Sequence, residues 1–541
     1  MSTLFDIDID KIDTVEDARN IIVEMVNIIE SFYKEKIEQK QTEQDLRDEI
    51  NRLKGEQGKP VVKANKESPK NISSKKETKE TKHWHKESKK GKIKIDKTVS
   101  CSIDKSILPA DAVFKGYERI VSQHIIFKRE NTEYLVAIYY SPSEKKTYKS
   151  TLPKEYNGYF SNGLKSFSNL THRQLDVPRN KLLSLLRSMG IEMSDGSLNN
   201  ILQENAAMWI KEKDDIRLAG LSDKSVQTDI TTARVNGKNH YTHIICNENF
   251  AVYTTLPGKS RQDVIMAFMG EPEEGLLYEY NEHTKKLLNR LKVPEKYKQA
   301  LSKIFIENKT LSENQFKKII RENIPALYAS PNVLRSVSDW FALAYFYKTE
   351  ILKILVSDDA REYELIALIR MLCWIHDARF YKKLRPVFDH HRKILNEFHT
   401  RYWEYYRRLL DYKENPCTQS KQALWNDFDK LFSPTTEYND LNKEISRTLA
   451  NKDKLLTVLE YPFLPLLNNT SELAARRQAR KRDISLHTMT ELGTKLQDAF
   501  LSITQTCQQM NVDIWQYIQS RISHTEEFYL PDLVRVKINS S

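Results

Sequence analysis

Apolar residues near the N-terminus recur at helical spacing. Ile22, Val26, Ile29 and Tyr33 lie four, three and four apart, and Leu46, Ile50 and Leu53 resume the pattern after a polar middle. Over residues 1–57 this predicts a short coiled coil or helical hairpin that could dimerise, or equally a lone amphipathic helix lying on its own protein. The pattern then stops. Lys59 to Lys97 carries fourteen lysines and almost no large apolar residue, so residues 58–98 read as a flexible basic linker. Within it, His83-Trp84-His85 has no cysteine cluster to complete a zinc site. From residue 99 the texture becomes β-branched and aromatic: residues 119–127, 133–140 and 146–149 predict a small antiparallel β unit ending near 157. Residues 158–218 return to helical periodicity. One helix is expected over 163–175 and a second from Pro178, bearing Leu182, Leu183, Leu185 and Leu186. A Gly190 turn and an N-cap at Ser194 lead to a third, which together is helix-turn-helix grammar.

Three strands follow. Ser225 to Ala233 and His240 to Cys246 flank Asn236-Gly237, the favoured pair for a type I′ turn, and Phe250 to Thr255 runs out a third time. Ser260 and Asp263 form an acidic capping box for a helix to Met269. A largely helical insertion spans about 270–350, with a second capping box at Ser312 and Gln315. Then comes Ile351-Leu-Lys-Ile-Leu-Val-Ser-Asp-Asp359, a short aliphatic run ending in two carboxylates, read as a buried strand. A second helical insertion, about 386–464, precedes Asn468-Asn-Thr-Ser-Glu472 and a basic helix, and residues 510–541 form a C-terminal helix and tail.

Composition narrows the setting. Lys and Arg number 85 against 74 Asp and Glu, a net charge of +11, which suits a polyanionic partner. The five cysteines are scattered with no C-x-x-C pair, as expected of a reducing compartment. The first residues lack a signal-peptide pattern and no apolar run reaches spanning length, so a cytoplasmic, nucleoid-associated protein without membrane contact is expected.

The candidate chemistry lies in residues 219–509. Three antiparallel strands, a helix and a further strand ending in Asp is the order of a ribonuclease-H-like core. The expected fold is therefore multidomain and mainly α, with an α/β ribonuclease-H-like catalytic core interrupted by helical insertions. In that order Asp229 and Asp358 stand on neighbouring strands, and Glu472 in the first turn of a later helix would complete a carboxylate cage. Such a cage suits two Mg²⁺ ions, with Mn²⁺ as substitute, in phosphodiester displacement. Arg476, Arg477, Arg480 and Lys481 would set phosphate-binding charge beside the metals. Arg173, Arg179 and Lys181 are candidates for backbone phosphates, and Asn199, Asn200 and Gln203 for base edges. An ordinary helical subdomain remains the alternative for 158–218.

Several of these segments resemble one family. Ser357-Asp358-Asp-Ala, Leu372-Cys-Trp-Ile-His376-x-x-Arg379, Pro465-Leu-Leu-Asn-Asn-Thr-Ser-Glu472, Asp498-Ala-Phe-Leu-Ser-Ile and Asn511-Val-Asp-Ile-Trp-Gln-Tyr-Ile518 are similar to the TnpC-type transposases of the insertion-sequence-66 family. The resemblance implies an Asp-Asp-Glu transposase with Asp229, Asp358 and Glu472 as metal ligands. Such an enzyme cuts double-stranded DNA at element ends and joins 3′-hydroxyls to target DNA, as a homo-oligomer on DNA with accessory proteins of the same element. Within the Asp358–Asp359 pair, the resemblance selects Asp358. The chain departs from the family twice. Its first motif reads Asp229-Ile-Thr, with one acid rather than two, and the family's N-terminal Cys-rich segment is reduced to Cys101, so no structural zinc is expected. Cys373 is expected to pack and His376 to lie near the site. Asp389-His-His391 looks like a phosphoesterase motif without supporting context. The alternative function is a catalytically decayed, DNA-binding or assembly protein derived from a transposase.

Overall fold

The computed structural model describes residues 14–53 and 95–540, apart from residues 102, 104–108, 110–111, 119, 124–128, 154–155, 157, 291–292, 350–351, 434–435 and 526–528. The linker expected over 58–98 lies almost wholly outside the described residues. The chain divides into two units: residues 60–150 with 187–191, and the remainder.

The larger unit is built on a hairpin whose turn chemistry is local. Asn236 and Gly237 both take positive φ, 47° and 73°, as a type I′ turn requires. This turn joins β1 (Ser225–Val235) to β2 (Lys238–Cys246), paired antiparallel from Val235↔Lys238 to Gln227↔Cys246. Strand β3 (Ala251–Leu256) adds antiparallel to β2. On the other side of β1, β4 (Ile354–Ser357) pairs parallel to it, and β5 (Ile369–Leu372) pairs parallel to β4. The result is a mixed five-stranded sheet of order β3-β2-β1-β4-β5. All four residues of β4 are buried, which is why its sequence is continuously aliphatic instead of alternating.

Most of the described chain is helical. Helix α1 (Val15–Leu53) is a single helix of 39 residues. Helices α2 (Asn162–Asn169), α3 (Arg179–Ser188) and α4 (Asp195–Gln203) fill the segment expected as helix-turn-helix; Ser194 caps α4 by accepting from Ser197 N–H. Helix α5 (Ala206–Leu221) packs against the sheet, and at Gly220 any Cβ would collide with the Phe250 ring. Helix α6 (Arg261–Met269) starts at the Ser260–Asp263 capping box and ends at Gly270, φ 81°. After β5 come α7 (Trp374–Lys383), α8 (Asp389–Glu414), α9 (Asn439–Ala450), α10 (Asn469–Ser485) and α11 (Glu491–Gln509).

Apolar clusters cover both faces of the sheet, a small one joining Ile244 and Tyr253 to Ala474 and Leu501. One gathers Trp209, Ile216, Phe268, Phe341 and Phe500 from α5, α6, α11 and the helix Pro331–Lys348. Another gathers Val356, Trp374, Tyr402, Tyr405, Phe428 and Phe432 around the second insertion. Helix α11 is also tied to β3 by polar bonds: the Asp498 carboxylate accepts from Thr255 N–H at 2.7 Å and from Thr255 Oγ1 at 2.9 Å.

The structure differs from the sequence expectations in four places. The first insertion holds two short strands, Leu277–Glu279 and Thr310–Ser312, paired antiparallel. Their three residues each are too short for any alternation to register. Strand β5 was not anticipated, for the same reason. Among the described residues of the smaller unit, only Ile138–Ser141 and Lys146–Lys149 pair as strands, antiparallel. Of the strand expected over 119–127, residues 119 and 124–127 lie outside the described residues. Finally, α1 lies against its own chain, which was one of the two expectations for it, but through polar residues rather than an apolar stripe.

Candidate active site

The last rung of the parallel β1–β4 ladder is Gln227↔Val356. Two residues further along each strand stand Asp229 and Asp358, so the register sets them side by side where the β4 backbone leaves the sheet. Neighbouring strands lie about 4.8 Å apart. Asp229 accepts from the Ile230 N–H at 2.8 Å. Burial pushes its carboxyl up to about 7; the Ile230 N–H opposes this, the negative charges of Asp358 and Glu472 add to it, and Arg379 offsets it. Asp358 is held in a tight turn, its carboxylate accepting from Ala360 N–H at 3.2 Å. Arg370 of β5 clamps that turn: Nη2 donates to the carbonyls of Asp358 (2.6 Å) and Ala360 (3.0 Å), and Nε to Ser357 Oγ (2.9 Å). The adjacent Asp359 faces elsewhere, accepting from Asn451 Nδ2 at 3.1 Å with Arg447 at 3.6 Å.

Glu472 reaches this place through the start of α10. Asn468 donates from Nδ2 to the Thr228 carbonyl at 2.8 Å, and its backbone N–H donates to Cys373 Sγ at 3.2 Å. Gln227 Nε2 donates to Thr470 Oγ1 at 3.4 Å, and the Trp374 N–H to the Leu466 carbonyl at 3.0 Å. These bonds anchor the first turn of α10 on β1 and on α7, with Glu472 on that turn. Its carboxylate is taken by Arg379 of α7, whose Nη2 lies 2.8 Å from Oε1 and 2.9 Å from Oε2. Arg379 Nη1 also donates to His376 Nε2 at 2.8 Å, so the proton of the neutral imidazole sits on Nδ1, a buried atom without a partner. Burial and Arg379 both hold His376 below its ordinary pKa. Cys373 is buried and its thiol is pushed up by burial to about 11, so it packs and accepts hydrogen bonds.

Among the described residues, no three His, Cys, Asp or Glu side chains lie close enough to form a ready coordination shell. The donor chemistry nevertheless fits a hard divalent cation. Three carboxylates share one neighbourhood, and Asp229 has no cationic side chain bound to it.

The candidate DNA-binding residues divide into two groups. Arg476 and Arg480 are exposed on one face of α10, and Arg476 lies 3.9 Å from Glu472. Lys181 and Asn200 are exposed on α3 and α4; Arg179, also exposed, binds Asp195 (3.0 Å) and Asn199 (3.1 Å). The others hold the fold together. Arg173 is half-buried, donates to the Leu202 carbonyl at 3.1 Å and stacks its guanidinium 5.2 Å from the centre of the Phe500 ring. Arg477 and the buried Lys481 both pair with buried Asp176 at 3.0 Å, joining α10 to the turn before α3. These three are corrections to the phosphate-contact expectation: inward-facing charge on a basic helix reads from sequence like surface charge. The residues that sequence reasoning did not assign are Arg379 and Arg370. Arg379 stood in the Cys-Trp-Ile-His-x-x-Arg run, one helical turn after His376, which was the available signal.

No protein-family model matches the chain. A stretch of 169 residues is 33% identical to the uncharacterized protein y4jO of Sinorhizobium fredii. It covers 31% of this chain and 52% of that protein, so the chain spans about half the length of the curated relative it matches. Among the described residues no helix is long and apolar enough to cross a membrane.

Proposed function

We propose that this chain is an Asp-Asp-Glu DNA transposase with a ribonuclease-H-like catalytic core. One observation carries the reading: Asp229, in the middle of β1, and Asp358, just past the end of the parallel neighbour β4, stand side by side in register, with Glu472 on the first turn of α10 anchored to β1. The sheet order β3-β2-β1-β4-β5, antiparallel on one side of β1 and parallel on the other, supports it. So does the general gathering of reactive groups at the carboxyl ends of strands.

Asp229, Asp358 and Glu472 are the residues that would hold two divalent cations, Mg²⁺ or Mn²⁺, which when bound activate an attacking oxygen and stabilise the leaving one. The chain's own groups do the rest. Arg370 sets the direction of the Asp358 turn, and Asn468 fixes the height of Glu472 above β1. Arg379 holds the Glu472 carboxylate and sets its guanidinium beside the site, where it would receive a substrate phosphate. Arg476 and Arg480 line the approach of the DNA backbone, with Lys181, Arg179 and Asn200 as contacts further along the duplex. In this reading the protein works on double-stranded DNA in the nucleoid, as a homo-oligomer with accessory proteins of the same element.

The test is Asp358→Asn in the full-length protein. Mn²⁺- or Mg²⁺-dependent cleavage of element-end DNA should fall to background while binding of the same DNA is kept. Persistent cleavage sinks the assignment. A second reading, a decayed DNA-binding or assembly protein, draws support from the ion pair that occupies Glu472 and from the single acid in Asp229-Ile-Thr. It expects no cleavage by the unaltered protein either.

A further inference from the structure

Helix α1 uses one face to lie on its own chain and leaves another bare. The docked face is polar. Asn27 Nδ2 donates to the Glu437 carbonyl at 3.0 Å and Asn27 Oδ1 accepts from Asn439 N–H at 3.0 Å. Glu30, 2% exposed, accepts from Val387 N–H at 2.9 Å and pairs with His391 Nδ1 at 2.6 Å. His391 is itself 1% exposed and stacked on Tyr438, so the Asp389-His-His391 run serves helix docking. Lys34 pairs with Asp440, and Arg19 with Glu437.

The bare face is apolar and regular. Ile22, Met25, Ile29 and Phe32 are 59%, 42%, 48% and 45% exposed and are spaced three, four and three apart. Written as a heptad with Ile22 at a, they occupy a, d, a and d. Leu46 is exposed, lies two heptads beyond Phe32 and falls again on d, and Ile50 and Leu53 continue as a and d in sequence. On the same wheel Asn27 and Lys34 are f and Glu30 is b, so these docking contacts occupy the back of the helix, opposite the seam, while Arg19, at e, flanks it. Tyr33 flanks the seam at e, and Ile37 lies off it. Among the described residues, every position from Glu35 to Arg47 is exposed. An unsupported helix of that length is marginal in water.

We infer that the a/d seam of α1 is an interface for a second copy of this chain, paired in parallel. Charge supports that partner and that direction. In a parallel pair, position g faces e of the following heptad across the seam, which sets Glu35 against Lys40 of the second copy, once on each side. Parallel pairing also stacks Ile22, Met25, Ile29 and Phe32 on their own counterparts as four uninterrupted apolar layers. The polar layers at Lys36, Gln39 and Glu43 weaken the middle and fix its register. Because the back of α1 is bonded to the body, pairing of the seam carries both bodies with it. This inference does not depend on the reading of the carboxylates.

The test uses the full-length protein by light scattering coupled to gel filtration. The expected mass is twice the 63.5 kDa of one chain, falling to one chain for Ile29→Glu with Phe32→Glu. Both positions are exposed, so the variant should keep the far-ultraviolet dichroism and melting point of the parent. A monomeric parent, or a dimer that survives the double substitution, overturns the interface. In a second arm, Met25→Cys is made in a chain whose exposed Cys101 and Cys417 are serine. Parallel pairing yields a disulfide-linked dimer on mild oxidation. A dimer that fails to crosslink there overturns the parallel order.

Discussion

Replacing Arg379 with alanine separates two things that the Glu472 carboxylate can do. One guanidinium nitrogen bridges both oxygens, at 2.8 and 2.9 Å, while the other binds His376 at 2.8 Å. The Glu472 side chain is 16% exposed and that of Arg379 is 44% exposed, so solvent screens the pair from one side. Such a pair contributes about 1 kcal/mol, near the top of the range for exposed pairs because the bonds are charge-assisted. With one lone pair on each oxygen taken by Arg379 and its positive charge alongside, the Glu472 carboxylate is a weaker ligand for a cation. Removing the guanidinium should therefore raise Mn²⁺ affinity about fivefold, since about 1.4 kcal/mol corresponds to about tenfold. The assay is a titration of full-length protein without DNA, reading free Mn²⁺ by electron paramagnetic resonance. DNA cleavage by the same variant should fall, because the guanidinium that receives the phosphate is gone. Unchanged or weaker Mn²⁺ binding in the variant refutes the competition. If neither protein binds Mn²⁺, the carboxylate cage itself is refuted.

Three further outcomes can be checked in solution. Asn468→Ala leaves the Thr228 carbonyl without its 2.8 Å donor in a buried place, which should cost about 1–3 kcal/mol in a urea titration and weaken Mn²⁺ binding by loosening Glu472. Equal Mn²⁺ affinity in that variant would show that Asn468 does not position the carboxylate. Burial pushes the Asp498 carboxyl up to about 7 from an ordinary value near 3.8. The folded state thus binds a proton that the unfolded state has released, and stability falls as pH rises from about 4 to about 7. Asp498→Asn should flatten that part of the melting-temperature profile; an identical slope in both proteins counts against a raised carboxyl. The loss of cleavage in Asp358→Asn and the loss of dimer mass in Ile29→Glu with Phe32→Glu complete the set.

What could be read from the residues in order was whatever neighbours within a few positions decide. Asn236-Gly237 accepts positive φ at both turn positions, and Ser260 with Asp263 closes its own capping box, so the turn and helix start follow from local chemistry. The aliphatic run before Asp358 is buried on both faces, which leaves a strand as its only short solution. Two of the carboxylates were legible as the end of a strand, Asp358, and the first turn of a helix, Glu472, and Asp229 as the lone acid in the middle of a strand rich in apolar and hydroxyl-bearing residues. What only the tertiary structure decided is how charges on different elements meet. Arg173, Arg477 and Lys481 look like surface charge along the chain, yet each turns to a partner or ring far away in sequence, two of them to Asp176. Arg379 becomes a partner of Glu472 only because Asn468 and Trp374 bring α10 and α7 together. The apolar spacing in α1 predicted a helix but not its facing. The buried Glu30–His391 pair commits the polar back to the body and turns Ile22, Met25, Ile29 and Phe32 outward. Periodicity specifies which residues share a face; which face is covered depends on complementary groups that arrive from elsewhere in the chain.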